Sequence, residues 1–583
     1  MFESPRKCAW SECGEESRKT QPVSAARGRR KKKNQQKQQR GGEEANRSVS
    51  LPPPRAVGSS SPVAGERRTE ERPAAPDPGE TIVRGIFQID KKSCDVVLTA
   101  RRVTWTPIEP ETPTGESDTW RREERVELRD VFAVKVKRRR SVGQQTGGTL
   151  LGLTLFCCVR KGLKLKEKTI HLNNLSADHC EVWFQHLKSL LSDFTERPKL
   201  LKVFVNPVSH RKEAYQIYRD EVAPLFKLAD VKADVTITAR RGHALAVLKD
   251  CELEEYDGVV CVGGDGSVAE VVHGLLLRAQ MDAGRDTDSI FTPVRAALPL
   301  GVIPAGSTDT VACSVHGIRH PATAAMHIIL GHRQAVDTCS FSSLGRLLRF
   351  GFCAMYGFGG RTLALAERHR WMPPTQRREF AFIRTLANLK PEDCELSFLP
   401  LNTSQGGPEE PRRLVAKTHF QADGAWQTTR GLFLNLSIMA IPCLCSMAPR
   451  GLAPNTRLDN GSMALIAVGD ASRSEFIKHL KRYSNRSNQQ FSFSFVETHA
   501  VRAVRLRPRC RGGSADGASE DNVELESKKT PFISSEGTYP WNVDGELLEV
   551  PGELLVRAHP QLITLFGVDV QEVDDPPVNC SCI

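Results

Sequence analysis

The chain has 583 residues, of which 39% are hydrophobic and 26% are charged. This composition supplies enough apolar side chains for several folded domains. The formal net charge is +12, but residues 1–50 hold 13 basic and 6 acidic side chains, which leaves only +5 for the other 533 residues. A folded body so close to neutrality argues against a surface that coats nucleic acid, and no sequence-specific nucleic-acid partner is predicted.

Residues 1–79 are rich in Arg, Lys, Gln, Ser and Pro and poor in aromatic side chains. Such a segment cannot bury enough apolar surface to offset the ordering of its backbone, so a disordered basic tail is predicted. The basic run at residues 29–33 is interpreted as either a solvated tail or a nuclear import signal. The first 40 residues lack the apolar stretch of a secretory signal. We therefore expect a cytoplasmic location, with nuclear or nucleolar shuttling and peripheral membrane association.

Residues 80–196 contain about seven short strand-like runs followed by one amphipathic helix. The helix is predicted from Ser176 to Phe194, with Trp183 and Leu187 on its apolar face. This order resembles a pleckstrin-homology (PH) domain, a β-barrel with a C-terminal helix. The resemblance implies contact with phosphoinositide headgroups or a membrane surface through the basic residues 135–140. Two alternatives stay open: this run is a second import signal, or the domain binds only protein.

From residue 197 to about 337, continuous apolar strands alternate with helical segments, which predicts an α/β domain with a parallel sheet covered on both faces. From 338 to 570 the helical content falls and β runs return, so a second, antiparallel β-rich lobe is predicted. Segments 401–414 and 511–537 are rich in Gly, Ser and Glu and are interpreted as surface insertions. Residues 571–583 form a C-terminal tail. The predicted fold class is α/β plus β.

The most informative motif follows a buried strand, at Gly263-Gly264-Asp265-Gly266. Glycines allow backbone N–H groups to approach a phosphate, and the N-terminus of the following helix adds positive potential. Ligands of open α/β folds bind at this edge of the sheet. A carboxylate there can accept the proton of a substrate hydroxyl during phosphoryl transfer, or can organise Mg²⁺.

Two further turns support this interpretation. The segment Pro299 to Thr308 is a second β run that ends in a small-residue turn with two hydroxyls. Far downstream, Trp541 to Glu546 forms an acidic glycine turn. The three turns, with the stretch Ala448 to Leu452, resemble the diacylglycerol kinase catalytic superfamily, and the similarity is greatest to the ceramide kinase branch. The resemblance covers about residues 80–570.

The resemblance implies an ATP- and Mg²⁺-dependent lipid kinase fold, in which a nucleotide domain and an antiparallel β-sandwich lobe enclose the site. Asp265 matches the catalytic base for the lipid hydroxyl. The positions that match nucleotide contacts are Asn206, Gly263, Gly264, Gly266, Glu270, Ser307, Thr308, Asp544, Gly545 and Glu546. Asp337 matches a substrate-side acid of the family, although a structural role is equally open. The ligand implied is a sphingolipid or another lipid.

Three departures from the family pattern bear on this chemistry. Active relatives have Asn-Pro-x-Gly-Gly-Lys-Gly after the first strand, whereas Ser209 and His210 replace both adjacent glycines here. Side chains disfavour positive φ and close backbone approach, at a cost of about 1–3 kcal/mol per strained residue. The second strand ends in Arg240 and Arg241 with a different charge from relatives. Arg361 stands where relatives place a carboxylate that recognises the sphingoid head, which exchanges an acceptor for a donor.

Two functional hypotheses follow. The departures favour a retained lipid kinase fold with weak or absent phosphorylation of ceramide and a lipid-responsive, regulatory role. The intact glycine turns favour the alternative, an active lipid kinase that phosphorylates the primary hydroxyl of ceramide or another sphingolipid. No resident metal site is predicted, because Cys443 and Cys445 have no second pair at ligand spacing.

Overall fold

The structure is a computed structural model that describes residues 80–108, 123–144, 147–209, 211–285, 292–401, 425–453, 456–484, 490–509 and 538–570. The predicted tails at 1–79 and 571–583, the basic run at 29–33 and the insertion at 511–537 lie outside the described residues, as does nearly all of the insertion at 401–414. None of the described helices is long and apolar enough to cross a bilayer.

The N-terminal domain consists of seven antiparallel strands and one helix. Their bounds are β1 (Thr81–Ile89), β2 (Lys92–Thr99), β3 (Arg102–Pro107), β4 (Glu124–Glu127), β5 (Val131–Arg139), β6 (Thr149–Lys161), β7 (Lys164–Asn173) and α1 (Ala177–Ser192). The strand order is β4-β3-β2-β1-β7-β6-β5. Seven strands and a terminal helix confirm the PH-like class. No ladder joins β4 to β5 within the described residues, so closure of the barrel stays a prediction.

Helix α1 packs on the sheet through its apolar face, and its N-terminus is capped by a side chain. The Ser176 hydroxyl accepts a hydrogen bond from the backbone N–H of His179, which caps one of the free donors of the first turn. Trp183 and Leu187 are buried against Phe87 in the core of the domain. The helix therefore lies where its predicted apolar stripe requires.

The α/β lobe is built on four parallel strands in the order β9-β8-β10-β11. Its elements are β8 (Leu200–Val205), α2 (Ala214–Ile217), α3 (Ala223–Leu228), β9 (Lys232–Ile237), α4 (His243–Asp250), β10 (Gly258–Gly263), α5 (Asp265–Asp282), β11 (Leu300–Pro304), α6 (Thr310–His316) and α7 (Pro321–Ile329). The central strand β10 is buried along its whole length, as expected for a parallel sheet with helices on both faces.

The second lobe is mainly antiparallel and has its own core. Its elements are β12 (Arg333–Ser343), β13 (Arg346–Gly351), β14 (Cys353–Gly357), α8 (Phe358–Arg368), α9 (Pro374–Ala387), β15 (Glu392–Pro400), β16 (Gln427–Met439), β17 (Met463–Gly469), α10 (Arg473–Arg482), β18 (Val496–Pro508), β19 (Thr538–Val543), β20 (Glu546–Pro551) and β21 (Leu554–Phe566). Strand β21 pairs with β12 and, through Leu565 and Leu300, with β11. The sheet is thus continuous between the lobes, and the predicted boundary at 337 falls inside β12.

The PH-like domain packs directly on the α/β lobe. Phe132 and Leu165 lie in one apolar cluster with Val203 and Ile328 of the lobe. The Leu165 N–H donates to the Thr323 hydroxyl at 3.1 Å in this interface. The Lys135 ammonium lies 2.6 Å from a carboxylate oxygen of Asp230, so one member of the predicted basic edge is engaged between the domains.

Candidate nucleotide and lipid site

The first two glycine turns touch each other through their backbones. A Cβ added at Gly264 would lie 2.9 Å from the Cα of Gly306, and a Cβ added at Gly306 would collide with the Cα of Gly264. Real Cβ atoms do not approach a backbone atom this closely without a shift of the chain. Only glycine at both positions lets the end of β10 meet the end of β11.

The third turn reaches the same place from the other lobe. A Cβ added at Gly266 would lie 3.5 Å from the Glu546 Cγ, although the two residues are far apart in sequence. Asp265, Thr308 and Glu546 all line one cavity of about 470 Å³. This volume is within the range of small-molecule sites. The three turns therefore converge at the cleft between the lobes.

Helix α5 begins at this cavity, since its first residues Asp265 and Gly266 are among the lining residues. No side chain caps its N-terminus, where Gly264 is the capping residue. The first N–H groups of a helix have no partner within the helix, and its dipole makes this end positive. An 18-residue helix with an open N-terminus at a cavity is suited to bind phosphate oxygens.

Asp265 is the first residue of α5 and lines the cavity. Its Oδ1 accepts hydrogen bonds from the Thr310 hydroxyl at 2.9 Å and from the Val311 N–H at 3.1 Å. No donor to Oδ2 is found within the described residues. One oxygen thus fixes the orientation of the carboxylate, and the other is available to accept a proton from a bound hydroxyl.

Most of the residues predicted from the sequence meet at the cavity, and four do not. The lining includes Asn206, Gly264, Asp265, Gly266, Glu270, Ser307, Thr308, Gly545 and Glu546. Gly263, Asp337, Arg361 and Asp544 are not among the lining residues. Gly263 still supports the turn, because a Cβ there would lie 2.8 Å from the Ser267 Cβ.

The Asp544 carboxylate points into the protein, which corrects the predicted nucleotide contact. It accepts hydrogen bonds from the backbone N–H groups of Phe352 and Cys353, at 3.0 and 2.9 Å. The side chain is buried, and burial raises its pKa. Asp544 also has a φ of 51°, a left-handed conformation that Asp tolerates in turns. It braces the third turn and leaves the cavity to Gly545 and Glu546.

Glu270 and Glu546 line the cavity, but their carboxylates are already engaged. Glu270 accepts hydrogen bonds from the backbone N–H groups of Gly242 and Ala244, at 3.0 and 2.9 Å, and so caps α4. Glu546 pairs with Arg349 at 2.5 Å and with Arg241 at 2.9 Å. A nucleotide contact would have to compete with these partners at both oxygens of Glu270 but only at Oε2 of Glu546.

Asp337 is also a structural residue rather than a residue of the cavity. Its carboxylate accepts hydrogen bonds from the backbone N–H of Gly461 at 2.5 Å and of Gln561 at 2.7 Å. Burial raises its pKa to about 6. The predicted substrate role is not supported by this placement, and the structural alternative is.

Arg361 lies on α8, where the Glu392 carboxylate accepts a hydrogen bond from its Nη1 at 2.6 Å and the Lys390 carbonyl accepts another. The sequence predicts that Arg361 places a hydrogen-bond donor where relatives have an acceptor. In the structure the Glu392 carboxylate pairs with this guanidinium and balances its charge. Burial raises the pKa of Glu392, while the adjacent guanidinium opposes the shift. Arg361 is not one of the residues that line the cavity at the glycine turns, and its contact with substrate stays a prediction.

The loop after β8 contains the departure from the family's glycine pattern. Ser209 is buried beside the first glycine turn, and its carbonyl accepts a hydrogen bond from the Lys212 N–H at 2.8 Å. Lys212 has a φ of 66°, in the left-handed region that favours glycine. It occupies the last glycine position of the family's pattern. His210 lies outside the described residues.

Sequence reasoning missed several residues that hold or line the site. Asp309 accepts a hydrogen bond from the Gly306 N–H at 2.8 Å and pairs with Arg319 at 2.6 Å, so the two residues brace the second turn. Arg370, in the connection between α8 and α9, and Arg378, on α9, also line the cavity. An acidic residue just after a small-residue turn was the available signal for Asp309. No feature of the sequence pointed to Arg370 and Arg378, which are far from the glycine turns along the chain.

The carboxylates at the cavity do not by themselves form a magnesium site. Within the described residues, no group of three or more Asp, Glu, His or Cys side chains is arranged to hold a metal ion. Asp544 faces inward, and Glu546 is held by two guanidinium groups. Among the described residues, no protein donor reaches Asp265 Oδ2 or Glu546 Oε1, because both guanidinium groups bond to Oε2 of Glu546.

This fold and site define a lipid kinase scaffold of the diacylglycerol kinase type, preceded by a PH-like domain. The model of the diacylglycerol kinase catalytic domain matches residues 200–341. The ceramide kinase PH domain matches residues 83–187, and the ceramide kinase C-terminal domain matches residues 352–583. The chain belongs to the ceramide kinase family.

The chain is similar to proteins from several species. The chain is 54% identical to the human ceramide kinase-like protein over 84% of its own length and 91% of that protein. It is 34% identical to mouse ceramide kinase, over 68% of this chain and 80% of the relative. A diacylglycerol kinase structure from Bacillus anthracis aligns with 12% identity and a TM-score of 0.40, covering 64% of this chain and 97% of that one.

The family assignment supports a lipid ligand or membrane contact in general terms. It likewise favours ATP and Mg²⁺ as the cofactors of the family at large. The roles assigned to individual residues stay predictions.

Proposed function

We propose that this chain retains the nucleotide and lipid cleft of its family but transfers phosphate to ceramide weakly or not at all, and acts as a lipid-responsive regulatory protein. The observation that carries this proposal is the double ion pair of Glu546. Arg349 and Arg241 hold the acid that the family resemblance assigns to nucleotide contact. Both guanidinium groups bond to Oε2, so a nucleotide would reach only Oε1 of this carboxylate unless it displaced an arginine.

The loop after β8 supports the same proposal. Lys212 adopts a glycine-like φ of 66°, and the side chain of Ser209 fills space beside the first turn. The conformational cost is on the order of 1–3 kcal/mol for each strained residue, and about 1.4 kcal/mol corresponds to a tenfold change in affinity. We expect a stiffer loop to hold the triphosphate less closely than a glycine-rich one.

The retained residues nevertheless define a chemical sequence. Bound ATP would supply the phosphoryl group. The open N-terminus of α5 would hold phosphate oxygens through backbone N–H groups, and the Ser307 and Thr308 hydroxyls line the same wall. Asp265 would accept the proton of the lipid hydroxyl at its unpartnered Oδ2, while Thr310 and Val311 keep the carboxylate in place.

These features also support the second candidate, an active kinase for ceramide or another sphingolipid. The two candidates are separated by measuring transfer of the ATP γ-phosphate to ceramide, sphingosine and diacylglycerol, with Asp265→Asn as the matched control. We expect little transfer to ceramide. Robust transfer that disappears in Asp265→Asn would refute the regulatory proposal and establish the kinase.

A second experiment tests the role of the ion pair directly. Arg241→Ala removes the exposed partner of Glu546 and leaves the buried Arg349 in place. We expect tighter ATP binding, measured by calorimetry, because Glu546 loses one of its two competitors. Arg240→Ala, the neighbouring arginine at the same cavity, serves as the control. Equal or weaker binding in Arg241→Ala would contradict this account.

We further propose nuclear import through residues 29–33 and phosphoinositide contact through the PH-like domain. The second basic run, 135–140, is a weaker candidate for import, because most of it lies in β5 and Lys135 pairs with Asp230. Deletion of 29–33 should remove nuclear signal in transfected cells, whereas Arg139→Glu with Arg140→Glu should not. Unchanged localisation after the deletion would refute the import proposal.

A further inference from the structure

The hairpin of α8 and α9 exposes large apolar side chains beside the cavity. Trp371, in the connection between the helices, is 80% exposed, and Ile383 on α9 is 66% exposed. Phe380 on α9 is 38% exposed. Single exposed apolar residues are common, but a contiguous exposed patch indicates a binding surface.

These side chains form one strip rather than isolated points. The ring of His369 lies 6.2 Å from that of Trp371 and 5.0 Å from that of Phe380, centroid to centroid. Phe380 and Ile383 are three residues apart on α9 and therefore lie on the same face of the helix. We call Trp371, His369, Phe380 and Ile383 the hairpin strip.

Positive charge surrounds the hairpin strip. Residues 361–390 contain seven Arg and Lys side chains and two Glu. One of the two glutamates, Glu367, is paired with Arg370. Arg378 and Arg384 are exposed on α9 next to the apolar residues. A surface that combines an exposed Trp, aliphatic side chains and arginines complements the anionic headgroups and upper acyl region of a bilayer.

The hairpin lies next to the cavity, so a membrane bound there would be close to the site. Glu367, Arg370 and Arg378, on or between the two helices of the hairpin, line the same cavity as Asp265. A membrane against the hairpin strip would place lipid headgroups at the cavity entrance. A lipid could then present its polar head to the cleft while its acyl chains stay in the bilayer.

We propose that the hairpin strip docks the cleft onto an anionic lipid bilayer. The arginines attract the negative surface, and Trp371, Phe380 and Ile383 insert into the interfacial region. This docking surface is separate from the basic edge of the PH-like domain, where Lys135 is engaged with Asp230. Vesicle binding requires neither nucleotide nor phosphate transfer, so its outcome is independent of the kinase assay.

The test is flotation of the full chain with vesicles in which about 30% of the lipid is phosphatidylserine and the rest phosphatidylcholine. We expect Trp371→Ala combined with Ile383→Ala to lower the partition coefficient at least roughly tenfold, because two inserted apolar side chains are lost. The matched control is Leu344→Ala, which removes an equally exposed apolar side chain (77%) from a turn in the second lobe. It should leave binding unchanged.

A second measurement does not depend on weakened binding. Trp371→Phe keeps an apolar ring at this position while removing one of the seven tryptophans. If Trp371 inserts, brominated lipids should quench the fluorescence of the parent chain more than that of the variant.

Three results would overturn the proposal: no binding of the full chain to these vesicles, equal quenching of both chains, or loss of binding in Arg139→Glu/Arg140→Glu with none in the hairpin variant. The first result would leave the strip as a surface for a protein partner, and the third would assign docking to the PH-like domain.

Discussion

The wall of the cavity, formed by the glycine turns, and its rim, formed by charged side chains, are held in place by different interactions. The wall consists of three glycine turns; the first two meet through their backbones, where neither Gly264 nor Gly306 has room for a Cβ, and the third approaches them through the Glu546 side chain. The rim contains charged side chains that pair with one another, such as Arg241 with Glu546 and Arg370 with Glu367. The wall is therefore specified by backbone geometry, whereas the rim is specified by charge pairing.

This difference shows how a family fold can be kept while its chemistry changes. Packed backbone tolerates few substitutions, because even one methyl group has no space. Charged side chains at a rim can exchange partners at small cost, since exposed ion pairs contribute little to stability. Four predictions, from the largest expected effect to the smallest, test this contrast.

The first prediction concerns the Glu546 network, where one ion pair is buried and the other is exposed. Glu546→Ala leaves Arg349 buried without its carboxylate and should lower the free energy of unfolding by about 3 kcal/mol. Arg241→Ala removes only the exposed partner and should change it by less than about 0.5 kcal/mol. Denaturant unfolding measures both, and equal effects would contradict the distinction between the two pairs.

The second prediction concerns the contact between the first two turns. Gly306→Ala should lower the free energy of unfolding by about 2 kcal/mol, because the new methyl group collides with the Gly264 backbone. It should also abolish detectable ATP binding. Gly431→Ala is the control, since its Cβ would meet only side-chain atoms at 3.5 Å. A Gly306→Ala protein as stable as the parent would show that the backbone of the first two turns can shift to make room for a methyl group.

The third prediction uses Asp337, an acid outside both regions, to isolate the effect of burial. Its folded pKa, raised to about 6, lies above its unfolded value of 3.8. The folded state therefore holds the proton more tightly, and the resulting stability is lost as pH rises through about 6. Between pH 5 and pH 7 this loss amounts to about 1 kcal/mol. Asp337→Asn should remove that part of the pH dependence in denaturant unfolding, and an unchanged pH profile would contradict it.

The fourth prediction concerns the loop after β8. Lys212→Gly relieves a positive φ of 66° but increases the entropy of the unfolded chain, so we expect a net stabilisation of about 0.5 kcal/mol. Glu213→Gly, where φ is −95°, should destabilise slightly. Thermal unfolding distinguishes the two, and the same sign for both would show that φ at Lys212 is not strained.

The sequence by itself determined much of the architecture. Continuous apolar runs predicted the parallel strands β8 and β10, and helical spacing predicted α1 with Trp183 on its buried face. The three glycine turns were recognisable because residue types that permit close backbone approach are local signals.

Only the tertiary structure decided which carboxylates face the cavity. Asp544, Glu546 and Asp265 are alike as acids in or beside glycine turns. Yet Asp544 faces inward, Glu546 has one oxygen held by two arginines, and Asp265 has one oxygen held by the first residues of α6. Arg241 and Glu546 are 305 residues apart, so nothing local signals their pairing. The conformation that a backbone turn requires can be predicted from neighbouring residues in the sequence. The partner of a charged side chain depends instead on which distant segments the fold brings within a few ångströms.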